Sequence, residues 1–297
     1  MLGVAPSWLA SKAYKARGIL QKAWLPYYAA GLDKNASAIV QGRREVALKW
    51  GIPESELQRW EYVMFFAPTT NSGPTTYWLL SYILADPELL TEIREEVSKV
   101  TTISTFKGVK KASFDITRIQ KECPLLVAAW EESFRLSAPT VSVRMVMEDT
   151  MLAEKYLLKK GAVIQMVSAV SSQSEAIWGP NPDKFNAKRM LKSTYDALSR
   201  EDRKTRTQAY FPWGGGKYIC PGKQFASTEL IGFVGSMLYA FDVRMSNGER
   251  LKTPKPGKRQ IGRNVDLPIN DIEVIIKRRE EFEGVQLAYF VGNGVEV

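Results

Sequence analysis

Trp213-Gly-Gly-Gly-Lys-Tyr-Ile-Cys220-Pro-Gly222 reads as a loop built to hold a cysteine thiolate against a metal. Consecutive glycines open backbone conformations closed to other residues and let the chain approach a flat ligand. Their amide N–H groups can also point at an anion. Pro221 suits the first position of a helix. The run Gln224 to Phe241 carries apolar residues at helical spacing: Phe225, Leu230, Phe233, Val234, Met237 and Leu238. Cys220 is therefore expected at a helix N-terminus, where partial positive charge favours the thiolate. The alternative is a glycine-rich turn before an ordinary helix, with a buried and inert cysteine.

Composition narrows the chemistry. None of the 297 residues is histidine, which excludes Ser-His-Asp and Cys-His catalysis, histidine-ligated heme and the common zinc sites. Cys123 and Cys220 are the two cysteines, too few for a four-cysteine metal site or a disulfide framework. A heme held by one cysteine thiolate fits these constraints. The chain is long enough for a sizeable core. It contains no run of about eighteen apolar residues of the kind that spans a bilayer. Met1 to Ala30 is amphipathic rather than continuously apolar, unlike a secretory signal.

The net charge of +9 raises a nucleic-acid reading. The basic residues are scattered and not interleaved with aromatics, so no nucleic-acid partner is expected. The densest run, Arg200 to Arg206, includes Glu201 and Asp202 and reads as a solvated loop. A basic face steering an acidic partner or resting on anionic lipid, or a merely soluble surface, both remain open.

Pro53-Glu-Ser-Glu-Leu57 opens a helical pattern reaching Leu84. Pro68, Gly73 and Pro74 interrupt it, and each proline removes a helical N–H donor. The helix is expected to bend and open locally beside Thr69, Thr70 and Asn71, or else to be a simply kinked core helix. Asp86-Pro87-Glu88 starts a new helix to about Val100. Pro124 to Leu136 is a helix with Glu132 and Arg135 on one face. After Pro139 the pattern alternates, with Val141, Val143 and Met145 opposite Ser142, Arg144 and Val146, predicting a strand with one buried face. A hairpin is expected from Lys155 to Leu158 and Ala162 to Val167, turning at Lys160-Gly161. Trp178 to Met190 reads as an irregular connection, and Asp271 to Lys277 as a last strand. The chain reads as a single domain over 1–297, mainly α with a small β portion.

Together these residues resemble the C-terminal portion of a cytochrome P450, the heme-thiolate oxygenase family, from about Pro6 to Lys277. The family's heme loop, Phe-x-x-Gly-x-Arg/His-x-Cys-x-Gly, is matched by Trp213, Gly216, Cys220 and Gly222. Glu132-Ser-Phe-Arg135 matches the Glu-x-x-Arg helix. Pro182-Asp-Lys-Phe185 with Arg189 resembles the motif between them. The resemblance implies heme b with Cys220 as axial ligand, and a buried structural cluster of Glu132, Arg135 and Arg189. Two departures stand out: Tyr218 replaces the usual Arg or His, and Trp213 the usual Phe. The heme propionates are thereby expected to lose one cationic partner, leaving Arg144, then Lys217, as candidates. A tryptophan at 213 can pack beside the thiolate and donate its indole N–H.

Where most members carry an acid–threonine pair that delivers protons, this chain has Thr70 and Asn71. An amide orders water but is not a proton donor in the acid sense. Asn71-Ser-Gly-Pro74 with Trp78 resembles the branch of prostacyclin synthase and the sterol 7α- and 12α-hydroxylases, which includes both hydroxylation and a rearrangement without dioxygen. The implied reaction is oxygen insertion into a C–H bond of a sterol, terpenoid or other lipid. Isomerase or dehydratase chemistry and a non-enzymatic remnant are the alternatives. Pocket walls are expected from Phe66, Ala67, Thr140 to Val143 and the loop near Gln260 to Gly262. The implied partner is a reductase, NADPH-dependent or ferredoxin type. The resemblance also implies an N-terminal portion ahead of Pro6, with membrane contact at the endoplasmic reticulum. On that expectation the chain is a truncated gene model, a degenerate copy or one part of a split protein.

Overall fold

The computed structural model describes residues 6–258, 264–292 and 295–296. Helices take 54% of these and strands 17%, which makes the fold mainly α. Its residues gather into two compact units, Met1–Asn71 and Ser72–Val297.

In the first unit α1 (Ser11–Ala29) leads through a 3-10 turn (Leu32–Asn35) to α2 (Ala38–Lys49). The third helix, α3 (Glu54–Ala85), begins in this unit and continues into the second. Asp33 and Glu61 are buried, and each is matched by an arginine of α2. Arg44 lies 3.3 Å from Asp33 and also bonds Glu54, while Arg43 bonds Glu61. Burial and the neighbouring Glu61 push the Tyr28 phenol well up.

The expected opening in α3 is not found: Glu54–Ala85 is one uninterrupted helix. Side chains return onto the backbone there. Thr69 and Thr70 donate to the carbonyls of Phe65 and Phe66, both at 2.8 Å, and the Asn71 amide donates to Ala67 at 3.0 Å. Such back-bonding keeps polar groups satisfied within an otherwise apolar helix.

The second unit is built on α4 (Pro87–Val100), α5 (Ile116–Glu122), α6 (Pro124–Ser137) and the later α11 (Lys223–Ala240). Asp86 caps α4 as its sequence position suggests, accepting from the amides of Glu88 and Leu89 at 3.1 Å. Glu96 of α4 caps α6 from outside, accepting from Leu125 and Leu126 at 3.0–3.1 Å, and burial pushes its carboxyl up. The core runs from Trp78, Leu79 and Ile83 through Ile93 and Val97 to Leu126, Ile231 and Leu238. Gly232 lets α11 close on α5, because a Cβ there would stand 2.9 Å from Ile116.

Strands β1 (Thr101–Phe106) and β2 (Val109–Asp115) form a hairpin that the sequence reading missed. The next four are β3 (Val141–Met145), β4 (Thr150–Leu152), β5 (Tyr156–Leu158) and β6 (Val163–Val167). The hairpin expected between Lys155–Leu158 and Ala162–Val167 does not form. Instead β5 pairs with β4 and β6 with β3, because Ala153 and Glu154 take positive φ and make the turn there. The exposed side of β3 is also the reverse of the expectation. Val141, Val143 and Met145 face outward, while Ser142 and Arg144 are half-buried.

Two single-turn helices follow, α7 (Ser168–Ser172) and α8 (Glu175–Trp178), then α9 (Lys192–Asp196). The presumed loop at Arg200 is a helix, α10 (Arg200–Ala209), capped by Ser199, with Glu201 and Asp202 favouring its positive end. After α11, β7 (Phe241–Met245) pairs with β8 (Val274–Arg278), while β9 (Gln286–Val291) lies parallel to β2 and antiparallel to β10 (Val295–Glu296).

Candidate functional site

The glycine stretch folds as a closed loop. Gly214 and Gly216 take positive φ (+76° and +59°), a region strained for residues with a Cβ. The Gly214 amide donates to the Phe211 carbonyl at 3.0 Å, and the Cys220 amide donates to the Trp213 carbonyl at 2.8 Å. Residues Gly216–Tyr218 make a single 3-10 turn within the loop. The helix that follows begins later than its proline suggested. Lys223 is its first residue and Gly222 its cap, so Pro221 and Cys220 precede the helix.

The two cysteines are placed oppositely. Cys123 is fully buried; that burial, and then Glu96, push its thiol up to about 12. Cys220 is exposed at the end of the glycine loop. A soft metal needs a sulfur it can reach, and of the two cysteines Cys220 offers one.

Trp213 packs into the unit's core. Its ring centroid lies 4.8 Å from Phe134 and 5.9 Å from Trp130 of α6. The aromatic pair at 130 and 134, one helical turn apart, is the signal that could have located this wall. On the other side, Arg144 reaches from β3 to the loop, donating to the Gly215 carbonyl at 3.4 Å. Thr140 similarly approaches the Pro212 carbonyl at 3.4 Å. Strand β3 therefore turns its polar side inward because the loop's carbonyls lie there.

Glu132, Arg135 and Arg189 meet in a buried cluster. Arg135 donates to both Glu132 oxygens at 2.8 Å, and Arg189 donates to the same carboxylate. The Asn186 amide adds a bond at 3.2 Å. Arg189 also donates to the carbonyls of Trp178, Pro180, Asn181 and Lys184 at 3.1–3.3 Å, so it pins the irregular segment from 178 to 186. Trp178 and Arg206, to which the sequence reading gave no such role, join this cluster: the guanidinium groups of Arg135 and Arg206 lie 5.2 and 5.5 Å from the Trp178 ring. Phe185 stacks on Tyr82 at 4.4 Å with rings 4° from parallel.

Thr70 and Asn71 lie in the first unit and carry the hydrogen bonds already described. Phe66 and Ala67 share that helix, and the expected wall at Gln260 to Gly262 lies outside the described residues.

Residues 51–268 match the family model for cytochrome P450. Cytochrome P450 monooxygenase nodJ of Hypoxylon pulicicidum is 30% identical over 296 residues, 99% of this chain and 57% of that protein. A cytochrome P450 monooxygenase of Gibberella zeae is 29% identical, covering 89% of this chain and 51% of that protein. The 7-alpha-hydroxycholest-4-en-3-one 12-alpha-hydroxylase of Homo sapiens is 29% identical, covering 69% and 42%. The chain spans about half the length of the curated relatives it matches.

Proposed function

Because the chain belongs to the cytochrome P450 family, whose cofactor is heme on a cysteine thiolate, we propose that it carries the heme-thiolate centre of a monooxygenase. Its substrate would be lipid-like: a sterol, terpenoid or fatty compound, in keeping with the relatives named as sterol 12-alpha-hydroxylases. One observation carries this reading: an exposed Cys220 on the glycine loop that also bears Tyr218, the ring on which Arg144 and Lys217 converge, while Cys123 is buried.

When bound, thiolate-ligated heme supplies dioxygen activation and transfer of one oxygen atom to a C–H bond. The chain's own residues do the rest. Cys220 Sγ would be the ligand to the iron, and the Cys220–Trp213 backbone bond holds its loop in place. Trp213, backed by Trp130 and Phe134, sets an apolar wall against the loop. Arg144 and Lys217 would hold the carboxylates of the porphyrin. Thr70 Oγ spends its proton on the Phe66 carbonyl but keeps lone pairs that accept from water. Asn71 orders water and supplies no acidic proton.

A second reading, an isomerase or dehydratase that uses no O2, is favoured by Asn71. No carboxylic acid stands at 70 or 71, and the Asn71 amide is turned onto Ala67. A reductase, NADPH-dependent or ferredoxin type, is the partner under the first reading and dispensable under the second. Association with the endoplasmic reticulum membrane belongs to the same proposal. Among the described residues no helix is long and apolar enough to cross a membrane, and the charge of +9 suits contact with anionic lipid.

A ferrous carbon-monoxide difference spectrum after hemin is supplied tests the centre. A strongly red-shifted Soret band is expected, and Cys220→Ser should abolish it. The same spectrum from Cys220→Ser would overturn the assignment, and no uptake of heme would overturn the heme reading for this chain on its own. Product formation that requires both O2 and reductant then separates the first reading from the second.

A further inference from the structure

Two cations converge on the ring of Tyr218. The Arg144 guanidinium carbon lies 5.0 Å from the ring centroid and the Lys217 ammonium 5.1 Å. Both distances fall within the range where an aromatic face attracts a cation. The two charges come from different elements, Arg144 from β3 and Lys217 from the 3-10 turn of the loop. Arg144 is oriented further by bonds to the Ser142 hydroxyl and the Val143 and Gly215 carbonyls. Among the described residues no carboxylate lies within ion-pair distance of either cation. Two like charges from separate elements, gathered on one exposed ring, suit a ligand that carries two negative groups.

We propose that Tyr218 is a positioning residue, holding Arg144 and Lys217 as a paired receptor for the two carboxylates of the porphyrin. This role rests on the heme reading above. On this account Tyr218 does not cost the site a cation: its ring presents two cations drawn from separate elements. The ring, rather than the phenol O–H, does the positioning. Tyr218→Phe should therefore keep the function and Tyr218→Leu should lose it. Tyr218 is 63% exposed, so neither substitution disturbs a packed core.

The test uses the full chain and two probes, hemin and hemin dimethyl ester, which lacks free carboxylates. The wild type and Tyr218→Phe should bind the diacid more tightly than the ester. Tyr218→Leu should lose about five- to thirtyfold of that preference, the scale of two exposed cation–ring contacts, while keeping the thiolate-type Soret band. Equal affinity for the two probes in the wild type would overturn this inference alone, as would an undiminished preference in Tyr218→Leu. Uptake of neither probe would overturn the heme reading and this inference with it. Proton NMR of the wild type gives an independent reading: the side-chain methylenes of Arg144 and Lys217 should be shifted upfield by the ring, and unshifted methylenes would overturn the proposed positioning.

Discussion

Arg135 and Glu132 form a two-bond fork, with Nε and Nη2 each 2.8 Å from a separate carboxylate oxygen and neither side chain exposed to solvent. A buried pair of this kind is costly to break, because removing one partner strands the other charge. Arg135→Ala should therefore destabilise the second unit by about 3–5 kcal/mol. Arg135→Lys should recover only part of this, since an ammonium cannot make the planar fork. Chemical denaturation followed by circular dichroism measures both, and a near-neutral Arg135→Ala would mean the cluster does not hold the fold.

The two thiols should react very differently. With Cys123 pushed up to about 12 by burial, only about one molecule in ten thousand carries its thiolate at pH 8. Iodoacetamide on the native chain at pH 8 should label Cys220 and leave Cys123 unmodified until denaturant is added. Peptide mapping by mass spectrometry checks this, and equal labelling would contradict the burial of Cys123.

Two glycines predict opposite outcomes. Gly232→Ala brings a Cβ to 2.9 Å from Ile116, an overpacking that should cost about 1–3 kcal/mol. Gly73 lies in α3 with nothing near its missing Cβ, so Gly73→Ala should stabilise by about 0.5–1 kcal/mol through helix propensity. Melting temperatures of the two variants should move in opposite directions.

Burial raises the Glu131 carboxyl, and Lys223 offsets this only in part. A folded-state pKa above the unfolded one means that the folded chain holds its proton more tightly. Stability is then lost as pH rises from the ordinary carboxylate range through the folded value. Glu131→Gln should be more stable than wild type at pH 7 and similar to it at pH 4. Urea titrations at the two pH values check the sign.

If Thr70 relays protons from water, Thr70→Val should leave the carbon-monoxide spectrum unchanged and lower turnover by roughly a hundredfold, the scale of one proton-transfer group. Unchanged turnover would remove Thr70 from the route.

Much of this protein is local and therefore legible in the chain itself. The capped start of α4 at Asp86, the proline-led start of α6 at Pro124 and the glycine loop ending in Cys220 each depend on a few neighbouring residues. The Glu132–Arg135 pair follows from helical spacing alone.

What the tertiary structure decided lies in long-range choices. Strand β6 pairs with β3 rather than with its neighbour β5, because turn positions 153 and 154 commit β5 to β4 first. The polar side of β3 faces inward because the loop that it meets lies about seventy residues away and presents carbonyls to Arg144. Helix α3 runs unbroken across Pro68 and Pro74, an outcome that the proline positions do not reveal. The sequence by itself determined the glycine loop that ends in Cys220, the starts of α4 and α6 and the order of the motifs, because short-range backbone chemistry specifies them. Only the tertiary structure decided that the Trp178 ring lies between Arg135 and Arg206 and that Arg144 joins Lys217 on Tyr218, because electrostatic and aromatic contacts depend on distance in space and not on separation along the chain.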